Sequence, residues 1–149
     1  GVITVGAVDA ANRLASFSSI GPRVDLVAPG VSILGPALNN SYGIRSGTSF
    51  AAPHVSGLAA ILLSKHPAWT SEQVRGALVS TTVDLGTSGW DERYGAGLVD
   101  GAALAEAFAD PQSEPPTARI ATPGNDSGAL TTVIVSANGS GPTTGYRLS

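Results

Sequence analysis

A serine stands between a glycine–threonine turn and a run of small residues in Gly47-Thr48-Ser49-Phe50-Ala51-Ala52-Pro53-His54-Val55-Ser56-Gly57, and a helical pattern begins there. From about Ser49 to Lys65, Val55, Leu58, Ala59, Leu62 and Leu63 recur on one helical face. Pro53 is compatible with that helix if it lies in the first turn, where backbone N–H groups have no partner, and Pro67 ends it. The chain is thus constrained to deliver a serine from a loop onto a helix start. Such a serine has two uses. It can cap the helix, as serine often does. Alternatively its hydroxyl acts as a nucleophile, with helix-start N–H groups aimed at the oxyanion that forms on attack.

A serine hydroxyl is a poor nucleophile until a neighbouring base takes its proton. His54 follows five residues later, about 140° around the helix and ~7.5 Å along it, so it is badly placed to serve Ser49. His66, before Pro67, is further away and is expected to be exposed at the helix end. The segment Gly47-Thr48-Ser49-Phe50-Ala51 nearly matches the G-x-S-x-G elbow, but that class places its acid and histidine after the serine. No histidine follows His66. The base is expected from sequence before Gly1.

The rest of the chain reads as α/β. Val2 to Val8 is an apolar, β-branched run suited to a parallel strand buried on both faces. Val24 to Gly30 is a short strand closed by a turn, Val31 to Leu34 continues extended, and Asn39-Asn40-Ser41 marks a loop. Thr70-Ser71-Glu72-Gln73 opens a second helix expected to turn Val74, Ala77, Leu78 and Val79 inward. A third covers roughly Gly101 to Ala109. Asp91-Glu92-Arg93 reads as a solvated turn. Hydrophobic residues form 42% and charged residues 13% of the 149 positions, which supports a packed core over most of the chain. The net charge of -3 gives no footprint for nucleic acid, and no apolar run approaches the ~20 residues that span a bilayer. With no cysteine there is no disulfide and no thiolate metal site. There is no methionine either, and the opening residues already read as mid-fold strand, which predicts that residue 1 is an internal position of a longer protein.

The Gly47–Gly57 segment closely resembles the serine signature of the subtilases, the subtilisin-like serine proteases. Similar segments occur in the expected order at Val2–Asp9, Ala15–Pro22, Val27–Gly30, Leu63–Pro67 and Tyr94–Asp100. The resemblance implies an α/β fold for residues 1–109: the C-terminal part of a subtilisin-like, parallel-sheet, three-layer catalytic domain. It also implies serine endopeptidase activity on protein or peptide substrates, in a secreted, extracellular and monomeric enzyme that acts on neither nucleic acid nor membrane. Ser49 is then the acyl-forming nucleophile, its own N–H an oxyanion donor, and the Thr48 hydroxyl a near-site helper. His54 matches a structural histidine. Arg45, Phe17 and Phe50 line the substrate cleft, Arg45 and Phe17 on the leaving-group side. The catalytic Asp, His and oxyanion Asn are expected upstream of Gly1, so the 149-residue chain alone is expected to be inactive. It is also expected to expose an apolar edge at its first strand.

No cofactor is required for this chemistry. Calcium is possible in the complete domain, but the weaker family site near Val2 and Asp25 has Arg23 where a second acid belongs, so no metal ligand is assigned here. Phe50 replaces the methionine many subtilases carry after the serine, which removes a thioether open to sulfoxide formation. The complete enzyme is therefore expected to keep its activity in peroxide; rapid loss mapped to this site would contradict that. Residues 110–116 form a proline-rich linker. Residues 117–149 read as the start of a β-rich, immunoglobulin-like module. The competing interpretation is a non-catalytic fragment or adhesive module with a relic protease half. An upstream reading frame lacking Asp-bearing and His-bearing segments would favour it.

Overall fold

In the computed structural model, which describes residues 1–110, Val5–Val8 (β1) and Leu26–Pro29 (β2) run parallel in register, Val5 opposite Leu26 and Val8 opposite Pro29. Gly6, Ala7 and Val8 are buried, as are Leu26, Val27 and Ala28, so this pair is covered on both faces. The first strand is shorter than the apolar run suggests. Val2 is exposed, while its neighbours are held: the Gly1 amino group donates to Ser71 Oγ, Ile3 packs against the core, and Thr4 N–H donates to Asp25 Oδ2. The sheet continues beyond β2 through an irregular segment. Val27 N–H donates to Gly97 and Val99 N–H to Val27, and Leu98 exchanges bonds with Val83 on its other side. On the opposite edge no further strand flanks β1 among the described residues. The expected open edge is partly closed, however. Ala15 N–H donates to the Ala7 carbonyl, and Ala7 N–H donates to Ser18 Oγ.

Between β2 and the serine the chain makes a hairpin of Ile33–Ala37 (β3) and Ser41–Arg45 (β4), paired antiparallel. Asn39 and Asn40 both adopt left-handed backbone, with φ of 61° and 53°, which asparagine tolerates better than most residues. Three helices follow: Thr48–Lys65 (α1), Ser71–Ser80 (α2) and Gly101–Ala107 (α3). Helix α1 lies against β1 and β2 and buries Ala51, Val55 and Leu62 in one core with Leu26, Ala28, Val74, Leu78 and Leu104. Leu58 and Ala59 are half-buried against that core. Leu63, expected inside, is exposed, because it sits about 100° round from Leu62. Helix α2 opens on a full capping box: Thr70 Oγ1 accepts from Gln73 N–H, and the Gln73 side chain accepts from Thr70 N–H. Asp100 Oδ1 accepts from Ala102 and Ala103 N–H groups and so starts α3.

Two expectations are corrected here. His66 is not exposed; it is 3% exposed, stacked on Trp69 with ring centroids 4.0 Å apart, and its Nε2 lies 3.2 Å from the Phe108 carbonyl. Since a carbonyl only accepts, Nε2 carries the proton. Trp69 also meets Phe108 edge-on, so the residue ending α1 becomes part of an aromatic seal closed by the end of α3.

Asp91 does more than sit in a solvated turn. Its carboxylate accepts from the N–H groups of Thr87, Arg93 and Tyr94, and Asp91 and Gly95 exchange backbone bonds. That loop holds distant chain in turn: Trp90 Nε1–H donates to the Val24 carbonyl, and Tyr94 hydroxyl accepts from Leu14 N–H. Partial burial pushes the Asp91 carboxyl up, but the backbone N–H groups of Tyr94, Arg93 and Thr87 outweigh it and hold the group below the usual carboxylate range. A depressed acid stabilises the fold above its unfolded pKa of about 4, and that stability is lost as pH falls through the lowered value. Asp91→Asn should therefore cost on the order of 1 kcal/mol near neutral pH, with the gap to wild type closing below pH ~4. Urea melts at the two pH values check this; a gap independent of pH would contradict it.

The linker and the immunoglobulin-like start, expected at residues 110–116 and 117–149, lie outside the described residues apart from Asp110.

Candidate active site

The residue before α1 is tied to the sheet. Gly47 N–H donates to the Gly30 carbonyl at 2.8 Å, and Gly30 N–H donates to the Val8 carbonyl at 3.0 Å. The helix start thereby sits at the carboxyl ends of β1 and β2, where open α/β sheets bind ligands. There is little room at this junction. A Cβ on Gly30 would lie 2.7 Å from Ala7 Cβ and 2.9 Å from the Gly47 carbonyl oxygen. Glycine at this position is what lets the strand ends and the helix start meet.

Gly47 is the N-cap, without a side-chain cap bond, so Ser49 is the second helical residue and does not cap. Phe50 N–H turns back to the Gly47 carbonyl at 3.0 Å. The N–H groups of Thr48 and Ser49 have no partner among the described residues, and neither does the exposed Ser49 hydroxyl. Helix α1 continues through Pro53, which lies past the first turn rather than within it. Proline offers no N–H, so the carbonyl four residues back, that of Ser49, lacks its usual intrahelical donor. The result is an unencumbered serine at the positive end of a helix of 18 residues.

Thr48 and Phe50 flank Ser49 in sequence and are half-buried, while Arg45 ends β4 just upstream and is exposed. Ser46 Oγ accepts from Ser32 N–H at 2.9 Å, closing the base of the hairpin beneath Arg45. Phe17 is 48% exposed on the loop whose Ser18 covers β1, and it has no hydrogen bond or ring contact to the Ser49 segment. The structure thus joins Thr48, Ser49, Phe50 and Arg45 along one stretch and leaves Phe17 on a separate loop. His54 makes no hydrogen bond to Ser49. Its Nδ1 is 2.8 Å from the Phe50 carbonyl, so it donates within its own helix. Among the described residues no three His, Cys, Asp or Glu side chains come together as a metal would require. Sequence reasoning missed Gly30, although the Pro29-Gly30 turn after an apolar run was its visible signal.

These features place the chain among α/β proteins that present a helix-borne serine at the carboxyl ends of parallel strands. The Subtilase family matches residues 1–97, and the chain belongs to that family. It is 52% identical over 104 residues to subtilisin of Bacillus pumilus, covering 70% of this chain and 37% of that protein. It is 43% identical over 98 residues to the minor extracellular protease Epr of Bacillus subtilis (strain 168), covering 66% of this chain and 15% of that protein. Among solved structures, fervidolysin from Fervidobacterium pennivorans, a keratinolytic enzyme related to subtilisin, superposes with a TM-score of 0.65 at 36% identity, over 70% of this chain and 19% of that one. The fold is therefore the subtilisin-like α/β fold, and the chain spans little more than a third of the subtilisin it matches.

Proposed function

We propose that the complete protein is a secreted serine endopeptidase in which Ser49 is the nucleophile. The observation that carries this reading is the state of Ser49: hydroxyl and N–H both without partners, on a helix start anchored at the strand ends. Ser49 Oγ attacks the peptide carbonyl while a base outside this chain takes its proton. The carbonyl electrons move to oxygen, and the Ser49 N–H donates to that oxyanion. The intermediate collapses to an acyl-serine as the protonated amine departs. Water then repeats the sequence and releases the acid. Thr48 supports the oxyanion side, and Phe50 and Arg45 border the cleft. Extracellular location is supported by relatives such as the extracellular protease above.

A fluorophosphonate probe tests the assignment. It is expected to label Ser49 in the complete protein and to leave the 149-residue chain unlabelled, since among the described residues no base bonds the Ser49 hydroxyl. Labelling of the isolated chain, or none of the complete protein, would overturn it. Arg45 favours an acidic or polar residue just after the scissile bond. Cleavage of a peptide library by wild type and Arg45→Ala should differ about threefold at that position; identical profiles would remove Arg45 from specificity.

A further inference from the structure

Asp25 stands immediately before β2, its side chain only 12% exposed. Its Oδ2 accepts the Thr4 N–H at 2.7 Å, and its Oδ1 accepts Nε of Arg75 at 3.1 Å and also the Arg75 Nη2 hydrogen. Its N–H donates to the Thr4 carbonyl, and its own carbonyl accepts Ala96 N–H at 2.9 Å. Four pieces of chain meet at this residue: the lead into β1, the lead into β2, the Tyr94–Gly97 turn and, through Arg75, helix α2. Arg23 and Glu72 border the same open groove. Arg23 is exposed and has no ion pair among the described residues.

The family resemblance points to a calcium ion at this corner, and the residues do not fit one. A calcium ion needs six to eight oxygens, roughly, at short range. Here one carboxylate oxygen faces a guanidinium, the other is held by an amide, and a second arginine stands in the groove. Two positive side chains repel a dication at this range. We infer that Arg75 is the resident cation of this corner, and that its pair with Asp25 pins α2 to the sheet where a relative would use a metal. The pairing does not depend on the supply of divalent ions.

Thermal unfolding of the full chain tests this without reference to activity. The change in Tm between calcium chloride and EDTA is expected to be the same for wild type and Asp25→Asn; a smaller change in the variant would show that Asp25 binds calcium and overturn the inference. Arg75→Met and Asp25→Asn should each lower Tm by about 4 °C, and the double variant should fall no further than the worse single one. Additive losses would show that the two side chains act separately. Asp25→Asn keeps an oxygen for the Thr4 N–H, so folding survives the comparison.

Discussion

Ser49→Ala in the complete protein lowers kcat/KM on a peptide amide by about 10⁴-fold or more, while binding of a peptide product changes little. The size follows from the role proposed for Ser49 Oγ as the atom that forms the acyl bond, since nucleophile and base act as a unit and neither works alone. The separation of binding from turnover follows from the site. Ser49 is exposed and makes no hydrogen bond, so a methyl in place of its hydroxymethyl leaves the helix start undisturbed. Steady-state kinetics with product-inhibition constants checks both halves. A variant retaining a tenth of wild-type turnover would place the nucleophile elsewhere.

Gly30→Ala is expected to cost about 2–3 kcal/mol of stability and to lower kcat by ~10²-fold in the protein that still folds. The added Cβ meets Ala7 Cβ at 2.7 Å, the Gly47 carbonyl at 2.9 Å and Ala51 Cβ at 3.2 Å, none of them the end of a flexible side chain. Something must move, and two of the three atoms met, the Gly47 carbonyl oxygen and Ala51 Cβ, belong to the start of α1, which carries the serine. Gly35→Ala is the control, because a Cβ there has nothing within 4 Å. Equal melting temperatures and turnover for the two variants would show that Gly30 does not seat the helix.

Local chemistry made much of this legible from the sequence. The apolar stripe of α1, the helix start at Thr70–Gln73 and the β-branched start of the sheet each act over a few residues, and each yields its element, although β1 begins only at Val5 and Leu63 turns outward. The errors arise where distant chain decides. His66 is polar and ends a helix, which alone predicts exposure; Trp69 and Phe108, the latter 42 residues on, bury it. The third line of the sheet at Gly97–Val99 is glycine-broken and has no strand pattern of its own, yet β2 recruits it. The hairpin escaped because Ile33–Ala37 and Ser41–Arg45 carry no alternation of apolar and polar residues, and Leu34, Tyr42 and Ile44 stay exposed; the Asn39-Asn40 pair was its one local sign. Ser49 was legible as a serine on a helix start. Its freedom from a capping role depends on Gly47 and could only be seen in three dimensions.

The chain leaves the sheet at Gly30 and returns at Gly47, and a single 2.8 Å hydrogen bond joins the two ends. Everything in residues 31–46 is therefore an excursion whose exit and re-entry are fixed independently of its length. Closing a longer loop costs only about 0.6 kcal/mol for each doubling. The Leu38–Asn40 tip is thus a natural port for inserted sequence, from a few extra residues to a peptide-recognition element. Such a graft would hang beside the serine without shifting it.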